Sequence, residues 1–124
     1  MNPPLVLLVD NEKRTIELMT IALELDGFGV DIAYGGEIAI EKMKDKRYSA
    51  VIVDFGLPDM KGDELAERIR KEDPEIGIIL LTGFKPGIDP VRLGAFDTVF
   101  EKPVVPNKIL EAVRKLTEPK KNKG

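Results

Sequence analysis

The stretch that decides the fold lies near the middle of the chain and reads Ala50-Val51-Ile52-Val53-Asp54-Phe55-Gly56. Its first four side chains are apolar without alternation, a pattern typical of a strand buried on both faces of a parallel sheet. Asp54 then ends the run with a carboxylate, which is costly to bury without a partner. The stretch therefore predicts a buried strand with a chemically distinctive residue at its carboxyl end.

Similar apolar segments alternate with helical patterns along the 124 residues. We predict strands over Leu5–Val9, Val30–Ala33, Ala50–Val53, Ile76–Leu81 and Thr98–Phe100. We predict helices over Lys13–Leu25, around residues 38–43, around residues 65–69 with an end near Pro74, and from Pro106 to about Leu116. Strands that alternate with helices imply a parallel sheet with right-handed crossovers. The sequence therefore predicts one α/β domain over residues 1–118, followed by a polar tail over residues 119–124.

Composition excludes several classes of function. The chain has no Cys and no His, so disulfides, thiol chemistry, His-based triads and self-phosphorylation on histidine are excluded. A net charge of -3 gives no general attraction to nucleic acid or to anionic lipid. We find no apolar run of the ~18 residues that a membrane span needs, and no export signal. We therefore expect a cytoplasmic protein with no membrane partner and with no nucleic-acid binding through this domain.

Polar residues directly follow the predicted strands, in this order: Asp10, Asn11 and Glu12; Asp54; Thr82; Lys102. In open parallel sheets, ligands bind beyond the carboxyl ends of the strands, so we expect these side chains to converge at one edge. Each residue alone has an ordinary explanation as a cap, a turn residue or a surface charge. Together, the carboxylates suit Mg²⁺, and an Asp beside a metal can attack phosphorus. A lysine and a threonine hydroxyl would then contact phosphoryl oxygens.

These motifs, in this order, resemble the receiver domain of two-component response regulators. The resemblance covers residues 5–117 and rests on the segments 5–12, 51–62, 79–83 and 101–103. It implies a flavodoxin-like three-layer sandwich with five parallel strands. It further implies that Asp54 is the phosphoacceptor, that Thr82 and Lys102 sense the phosphoryl group, and that Asp10 and the carbonyl of Gly56 bind Mg²⁺ with Asp54. Asn11 is included as a metal ligand because its amide oxygen can still coordinate.

From this resemblance we expect a stand-alone signalling domain that is not an enzyme beyond self-catalysed phosphoryl transfer and slow autodephosphorylation. Its partners would be a histidine kinase or a phosphotransfer protein, and a downstream effector protein whose binding changes on phosphorylation. An excised piece of a longer regulator fits the sequence equally well.

Three features depart from the family pattern. Asn11 replaces the second of two adjacent acids, which predicts weaker Mg²⁺ binding. The segment 82–94 is short and rich in Pro and Gly, so the family's fourth helix is predicted to be shortened to about a turn near residues 90–93, or lost. The position of the family's switch aromatic holds Val99, with Phe100 next to it, and a bulge here would change which side chain faces inward.

Three rival functions remain open. A receiver-like protein-binding module that has lost phosphorylation-dependent switching is the main alternative. A phosphatase is disfavoured because Gly56 stands where such enzymes carry a second Asp. A flavodoxin-like cofactor-binding protein is disfavoured because Tyr34-Gly35-Gly36 lacks the glycine spacing of a phosphate-binding loop.

Overall fold

A computed structural model describes residues 3–83 and 94–118 of the chain. The five strands of this part are β1 (Leu5–Val9), β2 (Gly29–Ala33), β3 (Ala50–Asp54), β4 (Gly77–Thr82) and β5 (Thr98–Glu101). Its four helices are α1 (Lys13–Leu25), α2 (Gly36–Asp45), α3 (Gly62–Glu72) and α4 (Pro106–Thr117). All nine elements lie where the sequence predicts them, and their ends differ from the predicted ends by a few residues at most.

The strands form one parallel sheet in the order β2-β1-β3-β4-β5. β1, β3 and β4 occupy its centre and are buried almost throughout, as their unbroken apolar runs predict. The predicted flavodoxin-like sandwich of five parallel strands is therefore confirmed. Because all five strands run in the same direction, their carboxyl ends meet at one edge of the sheet.

Helices cover both faces of this sheet and create two hydrophobic clusters. One cluster joins the sheet to α2 and α3 through residues such as Ala39, Ile40, Leu65 and Ile69. The other joins the opposite face to α1 and α4 through Ile16, Leu23, Ile109 and Val113, among others. Each fully buried Leu or Ile side chain contributes about 1.5–3 kcal/mol, so the two clusters hold the strand ends in fixed positions.

Helix α1 illustrates how the periodic pattern is used. Ile16, Met19 and Leu23 lie on one stripe and are buried against the sheet. Leu18, Ile21 and Leu25, which the sequence places beside that stripe, are 56%, 58% and 85% exposed. A helix buries only the face that packs against the sheet, so α1 carries more apolar residues than the core buries.

The bulge that the sequence suggested near β5 is wrong for the strand itself. Residues 98–101 pair with residues 79–82 of β4 one to one, without interruption. Val99 packs on the side of α2 and α3, whereas Phe100 packs on the side of α1 and α4. At the position where the resemblance leads us to expect a switch aromatic, the chain has the smaller, aliphatic Val99.

Two predictions lie outside the described residues: the shortened helix within residues 84–93 and the tail over residues 119–124. Within the part of the chain that is described, no helix is long and apolar enough to cross a membrane.

Candidate functional site

The site lies at the carboxyl edge of the sheet, where strand register sets its geometry. Val9 at the end of β1 pairs with Val53, so Asp10 and Asp54 follow neighbouring positions on adjacent strands. Asp54 pairs in turn with Leu81, the residue before Thr82. Lys102 follows β5, and its backbone N–H donates to the Thr82 carbonyl at 2.7 Å. We call Asp10, Asp54, Thr82 and Lys102 the strand-end cluster.

Asp54 and Lys102 form a direct ion pair, with 2.6 Å between Oδ1 and Nζ. The Asp54 side chain is only 10% exposed and that of Lys102 is 32% exposed, so water screens the pair less than a surface pair. Burial by itself would lower the pKa of Lys102. The hydrogen bond that Lys102 donates to Asp54 and the negative charge of that carboxylate outweigh burial, and the pKa of Lys102 stands above its ordinary value. Lys102 is therefore a fixed cation that faces the Asp54 carboxylate.

Asp10 is completely buried and only half satisfied. Its Oδ1 accepts a hydrogen bond from the Glu12 backbone N–H at 2.8 Å. Its Oδ2 is buried and has no hydrogen-bond partner within residues 3–83 and 94–118. Burial raises the pKa of Asp10, the bond from Glu12 opposes that rise, and the nearby charge of Asp54 adds to it. A buried carboxylate oxygen without a partner is uncommon and marks a place where a cation would be favoured.

The remaining predicted residues surround this pair of carboxylates. Thr82 is 1% exposed at the end of β4, and Asn11 is exposed beside Asp10. A Cβ placed on Gly56 would lie 3.7 Å from the Asp54 Oδ2, so the Gly56 backbone lies next to that carboxylate. Glu12 bonds through its side chain to Thr15 in the first turn of α1. The structure thus brings all of the predicted site residues to one edge of the sheet.

The donor set at this edge fits Mg²⁺. That ion is usually held by one or two carboxylates while it keeps several waters. The partnerless Asp10 Oδ2, the neighbouring Asp54 carboxylate and the adjacent Gly56 backbone supply such donors. In the described ranges no three His, Cys, Asp or Glu side chains come close enough together to enclose a metal. The arrangement is therefore an open site with two carboxylates, and the exposed Asn11 follows Asp10 in the chain.

Gly62, which belongs to the quoted segment 51–62, and Asp59, for which the sequence predicted no role, shape the loop beyond Asp54, which we call the β3–α3 loop (residues 55–61). A Cβ on Gly62 would lie 2.8 Å from the Phe55 Cα and 3.1 Å from the Asp54 carbonyl oxygen, so only glycine fits. Asp59 accepts hydrogen bonds from two backbone N–H groups of α2. The spacing of Gly62 from Asp54 is a signal that the sequence contains. The role of Asp59 has no such signal, because its hydrogen-bond partners are 22 and 23 residues distant in the chain.

Chemically, this edge combines a nucleophilic carboxylate, a cation, a hydroxyl and a place for a divalent metal. That combination can accept a phosphoryl group, because phosphoryl transfer needs mainly alignment and neutralisation of charge.

Comparison with known proteins gives a match to one family and to solved structures. The response regulator receiver domain family matches residues 6–114. The response regulator TrrA from Thermotoga maritima, solved in complex with Mg(2+)-BeF, is 33% identical with a TM-score of 0.84, over 91% of this chain and 98% of that one. A CheY-like receiver domain protein from Methanospirillum hungatei is 29% identical with a TM-score of 0.83, over 92% of this chain and 94% of that one.

The curated relatives of this chain are longer proteins, which it matches over only part of their length. CssR of Bacillus subtilis, a transcriptional regulatory protein, is 32% identical over 91% of this chain and 51% of its own length. A putative transcriptional regulator of Haloferax volcanii is 31% identical over 90% of this chain but only 19% of its own length. This chain thus spans between about a fifth and a half of the length of these relatives.

Proposed function

The chain belongs to the response regulator receiver domain family, and from that membership and the strand-end cluster we propose that Asp54 accepts a phosphoryl group from a phosphohistidine of a partner protein. The observation that carries the proposal is the Asp54–Lys102 pair at 2.6 Å beside the partnerless Asp10 oxygen. The sequence contains no His, so the donor histidine lies outside this chain, and a histidine kinase or a phosphotransfer protein would supply it.

In the proposed reaction, a carboxylate oxygen of Asp54 attacks phosphorus and forms a P–O bond. The P–N bond to the partner's imidazole breaks, and the imidazole leaves with the electron pair of that bond. Lys102, which now donates to Asp54, transfers its hydrogen bond to a phosphoryl oxygen and neutralises part of its charge. The Thr82 hydroxyl, at the adjoining strand end, would contact a second phosphoryl oxygen.

Asp10, Asn11, Asp54 and the Gly56 carbonyl would hold Mg²⁺. When bound, Mg²⁺ neutralises the charge of the carboxylates and the phosphoryl oxygens. Asn11 contributes an oxygen but no charge, so we expect this chain to bind the ion more weakly than a receiver domain with an acid in that place. The variant Asn11→Asp should therefore bind Mg²⁺ more tightly, and equal or weaker affinity would contradict this expectation.

We further propose that the phosphoryl group is lost slowly. Gly56 stands two residues after Asp54, where a phosphatase of the Asp type would have its general acid, and offers no side chain to activate water. Phosphorylation would then act by shifting the balance between two packings of the domain and so changing its binding to an effector protein.

The direct test is incubation with Mg²⁺ and a small phosphodonor such as acetyl phosphate, followed by intact-mass measurement. We expect a gain of one phosphoryl group in the wild type, no gain in Asp54→Asn, and the wild-type gain in Asp26→Asn. Asp26 is a matched control because it is also a salt-bridged carboxylate, but it pairs with Arg114 away from the site.

A second candidate function, a protein-binding module without phosphorylation, is favoured by one observation: the exposed amide of Asn11 in place of an acid. This alternative predicts that the wild type gains no mass with the phosphodonor and shows no shift at Asp54 when beryllium fluoride is added. A gain that depends on Asp54 would exclude it.

A further inference from the structure

The base of the β3–α3 loop is closed by backbone contacts. Gly56 and Lys61 face each other in an antiparallel bridge, and the Gly62 N–H donates to the Phe55 carbonyl at 3.0 Å. The loop therefore leaves β3 and returns to the same place before α3 begins. Gly56 lies at this base, and Asp59 lies near the far end of the loop.

That far end is attached to another element, the first turn of α2. The Asp59 Oδ1 accepts from the Gly36 N–H at 2.8 Å, and Oδ2 accepts from the Glu37 N–H at 3.0 Å. The preceding residue, Gly35, is the N-cap of α2 and has no side chain to fill this role. A capping residue normally satisfies the N–H groups of its own helix, so Asp59 is a cap supplied from a different part of the chain.

Packing leaves no space between the loop and α2. A Cβ on Gly36 would lie 2.5 Å from the Met60 Sδ, and one on Gly35 would lie 3.0 Å from the Asp59 Oδ1. The helix that receives the loop is itself fixed, because Ala39 and Ile40 are buried against the sheet. The two backbone bonds from α2 also lower the pKa of Asp59, so the carboxylate stays ionised at neutral pH.

We infer that Asp59 is a positioning residue for Mg²⁺ binding: by tying the β3–α3 loop to the N-terminus of α2, it holds the Gly56 carbonyl in the orientation that the metal requires. This inference rests on the proposed function, which places Gly56 among the ligands. Asp59 does not touch the metal. It acts through the loop, in the way that residues behind a metal's ligands commonly tune affinity.

The test compares Mg²⁺ affinity and stability in the wild type, Asp59→Ala, Asp59→Asn and Asp26→Ala. Mg²⁺ binding is followed by NMR through the backbone amides of residues 54–57, and stability by thermal unfolding without metal. We expect Asp59→Ala to weaken Mg²⁺ binding about threefold to tenfold, at the low end of what outer-shell substitutions produce. Asp59→Asn keeps one acceptor oxygen and should recover part of the affinity.

The Asp26→Ala variant separates positioning from general stability. Asp26 accepts two hydrogen bonds from Arg114, at 2.7 and 2.6 Å, so its loss also removes two bonds from the folded state. We expect lower stability with wild-type Mg²⁺ affinity in this variant. If Asp59→Ala likewise loses stability but keeps the wild-type affinity, Asp59 is only a structural cap and the inference is overturned.

The same data distinguish failure of the inference from failure of the proposed function. If the wild type shows no saturable shift with Mg²⁺, the metal site itself is wrong, and the role of Asp59 falls with it. If the wild type binds and both Asp59 variants bind equally well, the metal site stands and only the positioning role is wrong.

Discussion

Replacing Asp10 with Asn should make the metal-free protein more stable at neutral pH. In the wild type, Asp10 is fully buried, its Oδ2 has no partner in the part of the chain described, and Asp54 places a second negative charge nearby. An unsatisfied buried polar atom costs about 1–3 kcal/mol, and more when it is charged. Asn keeps an oxygen for the Glu12 N–H and removes the charge.

We therefore expect Asp10→Asn to gain about 1–2 kcal/mol, because its amide group still needs a partner and offsets part of the benefit. For a domain of this size, about 1 kcal/mol corresponds to about 3–5 °C in Tm. The measurement is thermal unfolding by circular dichroism at pH 7 in the presence of a chelator.

The pH dependence follows from the direction of the shift. Burial raises the pKa of Asp10 in the folded state above its ordinary value of 3.8. Between that value and the raised one, the folded state binds more protons than the unfolded state, so stability falls as pH rises through this window. The advantage of Asp10→Asn should therefore be complete at neutral pH and should shrink as pH is lowered to about 4.

Adding Mg²⁺ should reverse the order of the two proteins. Binding to the folded state stabilises it according to affinity, so the wild type should gain more in Tm than Asp10→Asn. As a control, Asp26→Asn should not be stabilised, because the hydrogen bonds from Arg114 already lower the pKa of Asp26. If Asp10→Asn unfolds at or below the wild-type Tm in chelator, or if its advantage does not change with pH, the buried charge of Asp10 does not destabilise the fold.

Two further substitutions test the same site from other sides. Lys102→Met leaves the Asp54 carboxylate without its partner at 2.6 Å; we expect a loss of about 1–2 kcal/mol in chelator, less than for a fully buried pair because Lys102 is partly exposed. Mg²⁺ should raise the Tm of this variant more than that of the wild type, and a variant as stable as wild type in chelator would contradict the pairing. Gly62→Ala would place a Cβ 2.8 Å from the Phe55 Cα, a backbone atom that cannot rotate away. We expect a loss of about 1–3 kcal/mol by urea unfolding, and an unchanged midpoint would show that the loop yields.

The sequence predicted the strands because their signals are local. Four consecutive apolar residues before Asp54, or five over Leu5–Val9, have few explanations other than a strand covered on both faces. Once the strands are placed in a parallel sheet, the residues after them must share an edge, and the strand-end cluster follows. The ion pair between Asp54 and Lys102, at 2.6 Å, agrees with this expected convergence, although the sequence did not predict the pair itself.

The sequence did not predict contacts whose partners are distant and whose residue types are ordinary. Asp59 looks like a turn residue in its own segment, and only the folded chain brings it to the first turn of α2. Arg70 looks like an exposed helical charge, yet it donates to the carbonyls of Ala95 and Ile76 and to the Asp97 carboxylate. A periodic pattern tells which face of a helix is apolar, but not which loop a polar side chain will reach.

The placement of Asp54 and Asp10 explains how an unfavourable arrangement persists in a stable fold. β3 is buried along its whole length and pairs with β1 and β4 on either side, so its carboxyl end cannot move to relieve the two carboxylates. If the two carboxylates lay on a flexible loop, each of them could reach water, and no preorganised oxygens would be available to bind Mg²⁺. The apolar run before Asp54 therefore has two effects: it drives folding through burial, and it holds two carboxylates close together where a cation would relieve their repulsion.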